Sequence, residues 1–487
     1  MQYTSFHALV SSLIFLVYWL MIVATTLRIV FKRRPTTYVI AWMLVIYILP
    51  IVGIILYFSL GEAHLGQQRV KRAQKMRPII ANFINRISIF PDIFTTQVSQ
   101  VSKPIFQLCK HQTGLDGING NHIELLSDTD AIFDQLIEDI NQATSNIEMV
   151  FYIWNEGGRA DDIEKALIEA TKRGVTCHLM VDSAGSRRFL RTNASKRMRE
   201  AGIIIIEALK VNLLRFMFRR LDLRQHRKVA IIDNYISYTG SMNIVDPRFF
   251  KQNKHVGEWV DIMVRMRGPV TTLMGAIYAS DWELETGTDL ALPQITDFAE
   301  PPEEKKHIMQ LIASGPGYTE NMIHQVLLTA IYAAQKQIIF TTPYLVPSDD
   351  ILHAVCTAAQ RGVEVIIIVP KKNDSLMVKW ASRAFFSELL EGGVKLYQYN
   401  DNLLHTKSVL IDNQLSLVGT VNLDMRSLWL NFEITTVIDD AEFAQSLFSL
   451  LQGYLAQSEK VNIEIWKQRP IWQRIVERLF YFFAPLL

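Results

Sequence analysis

Two uncharged apolar runs open the chain, over residues 8–27 and 35–61. Each is long enough to cross a hydrocarbon core as a helix, which takes about 20 residues. Arg28, Lys32, Arg33 and Arg34 lie between them. The pattern therefore predicts a transmembrane helical hairpin over residues 1–61 with a tight basic turn, and two buried core helices are the alternative. A cleaved signal fits less well, because no Lys or Arg precedes the first run and that run is too long for an h-region. Five further basic residues follow the second run (Arg69, Lys71, Arg72, Lys75 and Arg77). The positive-inside rule thus pulls both ways, with a slight balance toward a cytoplasmic catalytic domain.

After a polar, helical neck over 62–120 the pattern changes to alternating strands and helices. A strand starts near His122, and a helix is predicted over 131–143 and a strand over 147–154. A helix over 161–173 is stopped by Gly174, and a strand follows over 175–181. The same order returns later. Residues 312–314 lead into a helix over 320–334 and a strand over 338–344; a helix then ends at Arg361-Gly362 before a strand over 363–369. The phrase Arg-Gly-Val stands at 173–175 and again at 361–363. The recurrence predicts an α/β fold of two similar lobes, 121–300 and 301–487, each a mixed β-sheet flanked by helices.

Composition changes this picture little. The 487 residues carry a net charge of +2, which does not suggest a nucleic-acid binder, and 49% are hydrophobic, in keeping with a membrane segment. Cys109, Cys177 and Cys356 are scattered and odd in number, so buried thiols are expected rather than a disulfide framework.

The chemistry lies in a repeated cassette. His226-Arg227-Lys228 is followed by Asp233 and then by Gly240-Ser241-Met242-Asn243. His405-Thr406-Lys407 is followed at the same spacing by Asp412 and then by Gly419-Thr420-Val421-Asn422. Residues two apart project from one face of a strand, so each His–Lys pair points the same way. Asp233 and Asp412 close each strand where a turn follows, and the Gly-Ser and Gly-Thr elements offer a hydroxyl and an Asn side chain. One such motif means little; two copies with the same continuation, in matching places of a repeated lobe, point to a site. Each histidine also needs an acceptor for its second ring nitrogen, and Glu258 and Glu433 are the candidates, with a surface salt bridge the alternative for each. Two further segments, 211–221 and 471–487, mix apolar, aromatic and basic residues as interfacial helices do.

The doubled motif resembles that of the phospholipase D superfamily. The likeness extends over nearly the whole chain to the bacterial cardiolipin synthases of enterobacteria, through Asp182-Ser183-Ala184-Gly185-Ser186, residues 222–228, residues 420–427 and the final Ala484-Pro485-Leu486-Leu487. The resemblance implies two lobes around one active site in a protein of the bacterial inner membrane. His226 would be the nucleophile and His405 the general acid and base; Lys228, Lys407, Asn243 and Asn422 would hold the phosphoryl oxygens with help from Ser241 and Thr420. It implies phosphatidylglycerol as substrate, a phosphohistidine intermediate, and cardiolipin and glycerol as products, with no metal or cofactor. The motif itself is symmetric and leaves the division of labour between the histidines open. A membrane-bound phospholipase D using water is the nearest rival; a nuclease of the superfamily and a non-catalytic scaffold are more distant ones.

Overall fold

The computed structural model describes residues 2–32, 36–62, 65–88, 90, 93–210, 220, 222–293 and 307–484. Arg33 and Arg34 of the basic turn, residues 211–219 and 221 of the first interfacial segment, and residues 485–487 lie outside the described residues. The chain forms two compact units, residues 1–70 with 211–223, and residues 71–210 with 224–487.

In the first unit the opening run is one helix, Gln2–Phe31, of which Val10–Phe31 is long and apolar enough to cross a membrane. The second run differs from expectation. It breaks at Leu49-Pro50 into the helices Thr36–Ile48 and Pro50–Leu56, because proline cannot donate to the preceding turn. The shorter helix folds back so closely that a Cβ on Gly53 would stand 2.7 Å from the Val45 carbonyl oxygen. With 13 and 7 residues, neither piece alone has the length of a span. Glu62, buried at the end of this unit, accepts from Arg28 Nε at 2.9 Å and from the Tyr57 hydroxyl at 2.5 Å, and it also pairs with Lys32. Two of the basic residues that entered the orientation argument are therefore neutralised locally.

The second unit carries the repeat. In the first lobe the strands run, side by side, Gly117–Leu126, Met263–Arg267, Ile236–Gly240, Lys228–Ile232, Asn146–Phe151, Thr176–Asp182 and Ile204–Ala208. The second lobe repeats the order with His307–Ser314, Glu433–Asp439, Leu415–Gly419, Ser408–Ile411, Gln337–Thr341, Glu364–Pro370 and Lys395–Tyr399, and Ser458–Lys460 adds an edge. The first strands of the two series pair antiparallel, Met309 opposite Ile118, so the two lobes share one continuous sheet.

The repeated Arg-Gly-Val has a structural cause. Gly174 and Gly362 sit at φ 90° and 93°, where a side chain would be strained, and turn the chain out of a helix into a strand. The arginine before each caps the end of the previous helix, Arg173 on the Ile140 carbonyl and Arg361 on that of Ile331. The neck is less separate than its polarity suggests. Helix Lys103–Thr113 buries Ile105, Phe106 and Cys109 in the core of the second lobe. Ser99 and Ser102 donate to Asp439 at 2.7 and 2.9 Å.

The helix Ile471–Tyr481 is amphipathic, as the composition of 471–487 implies. Glu477 is buried between Arg383 Nε at 3.0 Å and Arg469 Nε at 2.9 Å. Ile471, Trp472, Ile475 and Leu479 stay exposed on the opposite face.

Asp233 and Asp412, grouped by sequence with the catalytic residues, stand at the far ends of their strands from the histidines. Asp233 accepts from the backbone N–H groups of Thr144, Ser145 and Asn146 at 2.8 to 3.0 Å. Asp412 accepts from those of Gln335, Lys336 and Gln337 at 2.7 to 2.9 Å. Each aspartate ties the turn after its own strand to the helix–strand turn of the neighbour, which is a structural task. Replacing Asp233 with Ala is expected to destabilise the protein by about 1 kcal/mol, because the partly exposed backbone donors of the turn lose a charged acceptor but can turn to water. Thermal unfolding in detergent would register this, and the protein still folded should keep the wild-type KM.

Candidate active site

Both His–Lys pairs face one buried centre. The chain just before each histidine is stitched to the other lobe. Leu403-Leu404 pairs in parallel with Trp259-Val260, and the His405 N–H donates to the Val260 carbonyl at 2.8 Å. In the mirror arrangement the His226 N–H donates to the Phe432 carbonyl at 3.0 Å, and the Phe432 N–H to that of Arg224 at 2.9 Å. These short crossed pairings bring a carboxylate of each lobe to the histidine of the other. His226 Nδ1 lies 2.8 Å from Glu433 Oε2, and His405 Nδ1 lies 2.7 Å from Asp261 Oδ1. A carboxylate accepts only, so Nδ1 carries the proton and Nε2 of each ring is the atom left for substrate.

Glu258 does not take the orienting position. Its side chain is exposed, while its backbone carbonyl accepts from Leu403 N–H at 2.9 Å. Asp261, three residues on, takes that position instead. A signal for it was present: Asp261-Ile262 leads into the strand Met263–Arg267 as Glu433-Ile434 opens the strand Glu433–Asp439, and Ser241 and Thr420 donate their backbone N–H to the carbonyls of Ile262 and Ile434 in the same way. Unequal loops hid the match, since Asp261 follows Ser241 by 20 residues while Glu433 follows Thr420 by 13.

Ser241 and Thr420 also sit differently from the expected phosphoryl contacts. The Ser241 hydroxyl donates to Asp261 Oδ1 at 2.6 Å, and that of Thr420 donates to Glu433 Oε2 at 2.5 Å. Each hydroxyl accepts in turn from a backbone N–H at 2.9 Å. They hold the carboxylates that hold the histidines. Lys228 and Lys407 donate to the carbonyls of His226 and His405 at 2.7 and 2.5 Å, so each lysine rests against its own motif. Asn243 uses its oxygen to accept from Ile153 N–H at 3.0 Å, and Asn422 is bonded to Asp424. Both amides are buried.

One residue escaped sequence reasoning because it fills the unspecified position of the motif. Arg227 is buried outright and pairs with Asp281; its Nε donates to the Glu433 carbonyl at 3.1 Å and its Nη1 to the Tyr318 hydroxyl at 3.2 Å. A buried guanidinium is tolerable only with such partners. Its counterpart in the second lobe is Thr406, so the two halves of the centre are supported differently.

Comparisons with known proteins give the family. A family model described as "Cardiolipin synthase, PLD-like domain" matches residues 136–261 and again 327–453, and one described as "Phospholipase_D-nuclease N-terminal" matches 17–62. Cardiolipin synthase A of Serratia proteamaculans is 58% identical over 486 residues, covering 99% of this chain and 100% of the relative. That of Erwinia tasmaniensis is 58% identical over 485 residues, with the same coverage of each chain. The chain belongs to the cardiolipin synthase A family. It is a phospholipase D superfamily enzyme of phosphatidyl transfer. The crystal structure of phosphatidylserine synthase from Haemophilus influenzae shares the fold, with a TM-score of 0.53 at 16% identity over 75% of this chain and 93% of the other.

The electrostatics of this cardiolipin synthase family site follow from burial. Desolvation brings both histidines down to about 4, against the pull of their carboxylates, so both rings are neutral near pH 7. Burial would raise Glu433 and Asp261, but their histidine and lysine neighbours hold both below the usual carboxylate range. The lysines are brought down as well, Lys228 to about 8 and Lys407 to about 7, chiefly by burial.

Two outcomes are expected. Asp261→Asn and Glu433→Gln each lose the charge that fixes and stabilises one imidazole, and kcat should fall about 100-fold or more while the fold is kept; near-normal kcat in both would remove the orienting role. A pH profile of kcat/KM should fall between about 7 and 8 as Lys407 and Lys228 lose their protons and with them their hold on the phosphate. Lys407→Arg should move the alkaline limb upward.

Proposed function

We propose that this enzyme transfers the phosphatidyl group of one phosphatidylglycerol to the terminal hydroxyl of a second, giving cardiolipin and glycerol through a phosphohistidine. The observation that carries the reading is the crossed pair of imidazole–carboxylate contacts, His226 on Glu433 and His405 on Asp261, beside two lysines in a chain alike end to end with cardiolipin synthases.

A phosphodiester anion between the two rings adds negative charge that offsets the desolvation holding both imidazoles neutral. One ring can then hold a proton while the other stays a nucleophile. In the first half, Nε2 of His226 attacks phosphorus, the bond from phosphorus to the glycerol oxygen breaks, and His405 gives that oxygen its proton. In the second, His405 takes the proton of the acceptor's primary hydroxyl, whose oxygen attacks phosphorus as the phosphorus–nitrogen bond breaks. Lys228 and Lys407 neutralise the non-bridging oxygens, with Asn243 and Asn422 beside them. The assignment of His226 as nucleophile is supported by Arg227, which fixes the Glu433 backbone under that ring, whereas His405 packs against Trp259 with ring centres 4.2 Å apart.

The membrane setting is read the same way. The helix Val10–Phe31 anchors the enzyme in the inner membrane, the bent pair Thr36–Ile48 and Pro50–Leu56 lies against it, and the exposed face of Ile471–Tyr481 rests on the lipid surface.

Full-length enzyme in detergent, given radiolabelled phosphatidylglycerol alone, should release glycerol and form cardiolipin. Phosphatidic acid as the main product would replace the synthase reading by hydrolysis. Acid quenching should trap label on the wild-type protein but none on His226→Ala, and label on that variant would overturn the nucleophile assignment.

A further inference from the structure

A cavity of about 610 Å³ opens beside His226, and its lining includes Tyr152, Asn155, Arg188, Phe249, Phe250 and Lys251. Tyr152 forms the wall shared with the catalytic centre, its ring 4.9 Å from that of His226. Gly185 keeps that wall in place, because a Cβ there would stand 2.3 Å from the Tyr152 carbonyl oxygen and 2.8 Å from its ring.

The charge of the cavity is one-sided. Its lining holds two cations and no carboxylate. Lys251 is engaged, donating to Asp374 at 2.9 Å and lying over Trp259 and Phe250. Arg188 is exposed and, among the described residues, its guanidinium makes no hydrogen bond or ion pair. Its backbone is nevertheless fixed, since Phe189 next to it is buried and stacked on Trp154 at 5.3 Å. Lys251 and His255, which bound the loop beside the cavity, hold left-handed backbone at φ 49° and 55°, a strained arrangement of the kind kept at ligand sites. The repeat is broken here. In the second lobe the loop equivalent to that of Arg188 supplies Asp374, which accepts from Tyr344 at 2.9 Å and answers Lys251.

We propose that this cavity is the acceptor subsite, and that Arg188 binds the phosphodiester of the second phospholipid while that lipid's free glycerol hydroxyl reaches the reacting phosphorus past Tyr152. The inference rests on the phosphatidyl-transfer reading above. Joining two phosphatidyl groups through one glycerol requires a second singly charged phosphate three carbons from the attacking oxygen. The reacting phosphate is served by Lys228 and Lys407, so the second needs a cation of its own. A guanidinium carried on a fixed backbone, with a vacant donor fork, suits a phosphodiester. Exposed Phe249 offers apolar surface beside it for the acyl–glycerol portion.

The experiment is a competition between acceptors. Full-length enzyme in detergent is given phosphatidylglycerol and 1-butanol together, and the ratio of cardiolipin to phosphatidylbutanol is measured. Butanol has no phosphate for Arg188 to hold. Arg188→Ala should lower the ratio about tenfold, the scale of one charge-assisted hydrogen bond. Arg188→Glu should lower it further, and Arg188→Lys should restore part of it. A ratio equal to wild type in Arg188→Ala and Arg188→Glu overturns the subsite, whatever happens to the total rate. Failure of the underlying reading looks different, because wild-type enzyme would then yield phosphatidylbutanol or phosphatidic acid with no cardiolipin.

Discussion

Two imidazoles and two carboxylates share one buried centre, and each carboxylate belongs to the lobe opposite its histidine. A lone carboxylate buried there would be protonated or would destabilise the fold, and a lone imidazole would be free to rotate. Crossing the pairs solves both problems at once. It also makes the centre indivisible, because neither lobe on its own contains a complete His–acid couple. Much of the surrounding structure serves that crossing: the continuous sheet joined through Gly117–Leu126 and His307–Ser314, the parallel contact of Leu403-Leu404 with Trp259-Val260, and the hydroxyls of Ser241 and Thr420 beneath the carboxylates.

The duplication is close in backbone and loose in its supports. Strand order, helix-ending glycines, capping arginines and turn-binding aspartates repeat nearly residue for residue. Departures gather around the centre. Arg227 faces Thr406 across the pseudo-symmetry, the loop before Asp261 is longer than the one before Glu433, and Tyr152 borders an open basic cavity where Tyr344 meets Asp374. A phosphatidyl transfer joins an unlike donor and acceptor, so chemistry done by a duplicated fold calls for asymmetry at the site while the scaffold remains free to stay alike.

Burial sets the working range of the site as strongly as charge pairing does. It leaves both histidines neutral at physiological pH and brings the lysines close to losing their protons.

What sequence alone determined was periodic or local. The lobes could be read from alternating strand and helix patterns, the His–Lys faces from the period of two along a strand, the Arg-Gly-Val exits from glycine's access to positive φ, and the apolar entry helix from length and composition. Glu433 was within reach, because it follows its motif through a short loop. What tertiary structure decided depended on distance between remote parts of the chain. Only packing shows that Glu433 serves the histidine of the other lobe, that Asp261 rather than Glu258 serves His405, and that Asp233 and Asp412 bind turns instead of substrate. The break at Leu49-Pro50, with Gly53 against Val45, likewise depends on one helix meeting another. Spacing along a chain constrains which side chains share a face, but partners across a sheet or between lobes are chosen by where separate strands come to lie.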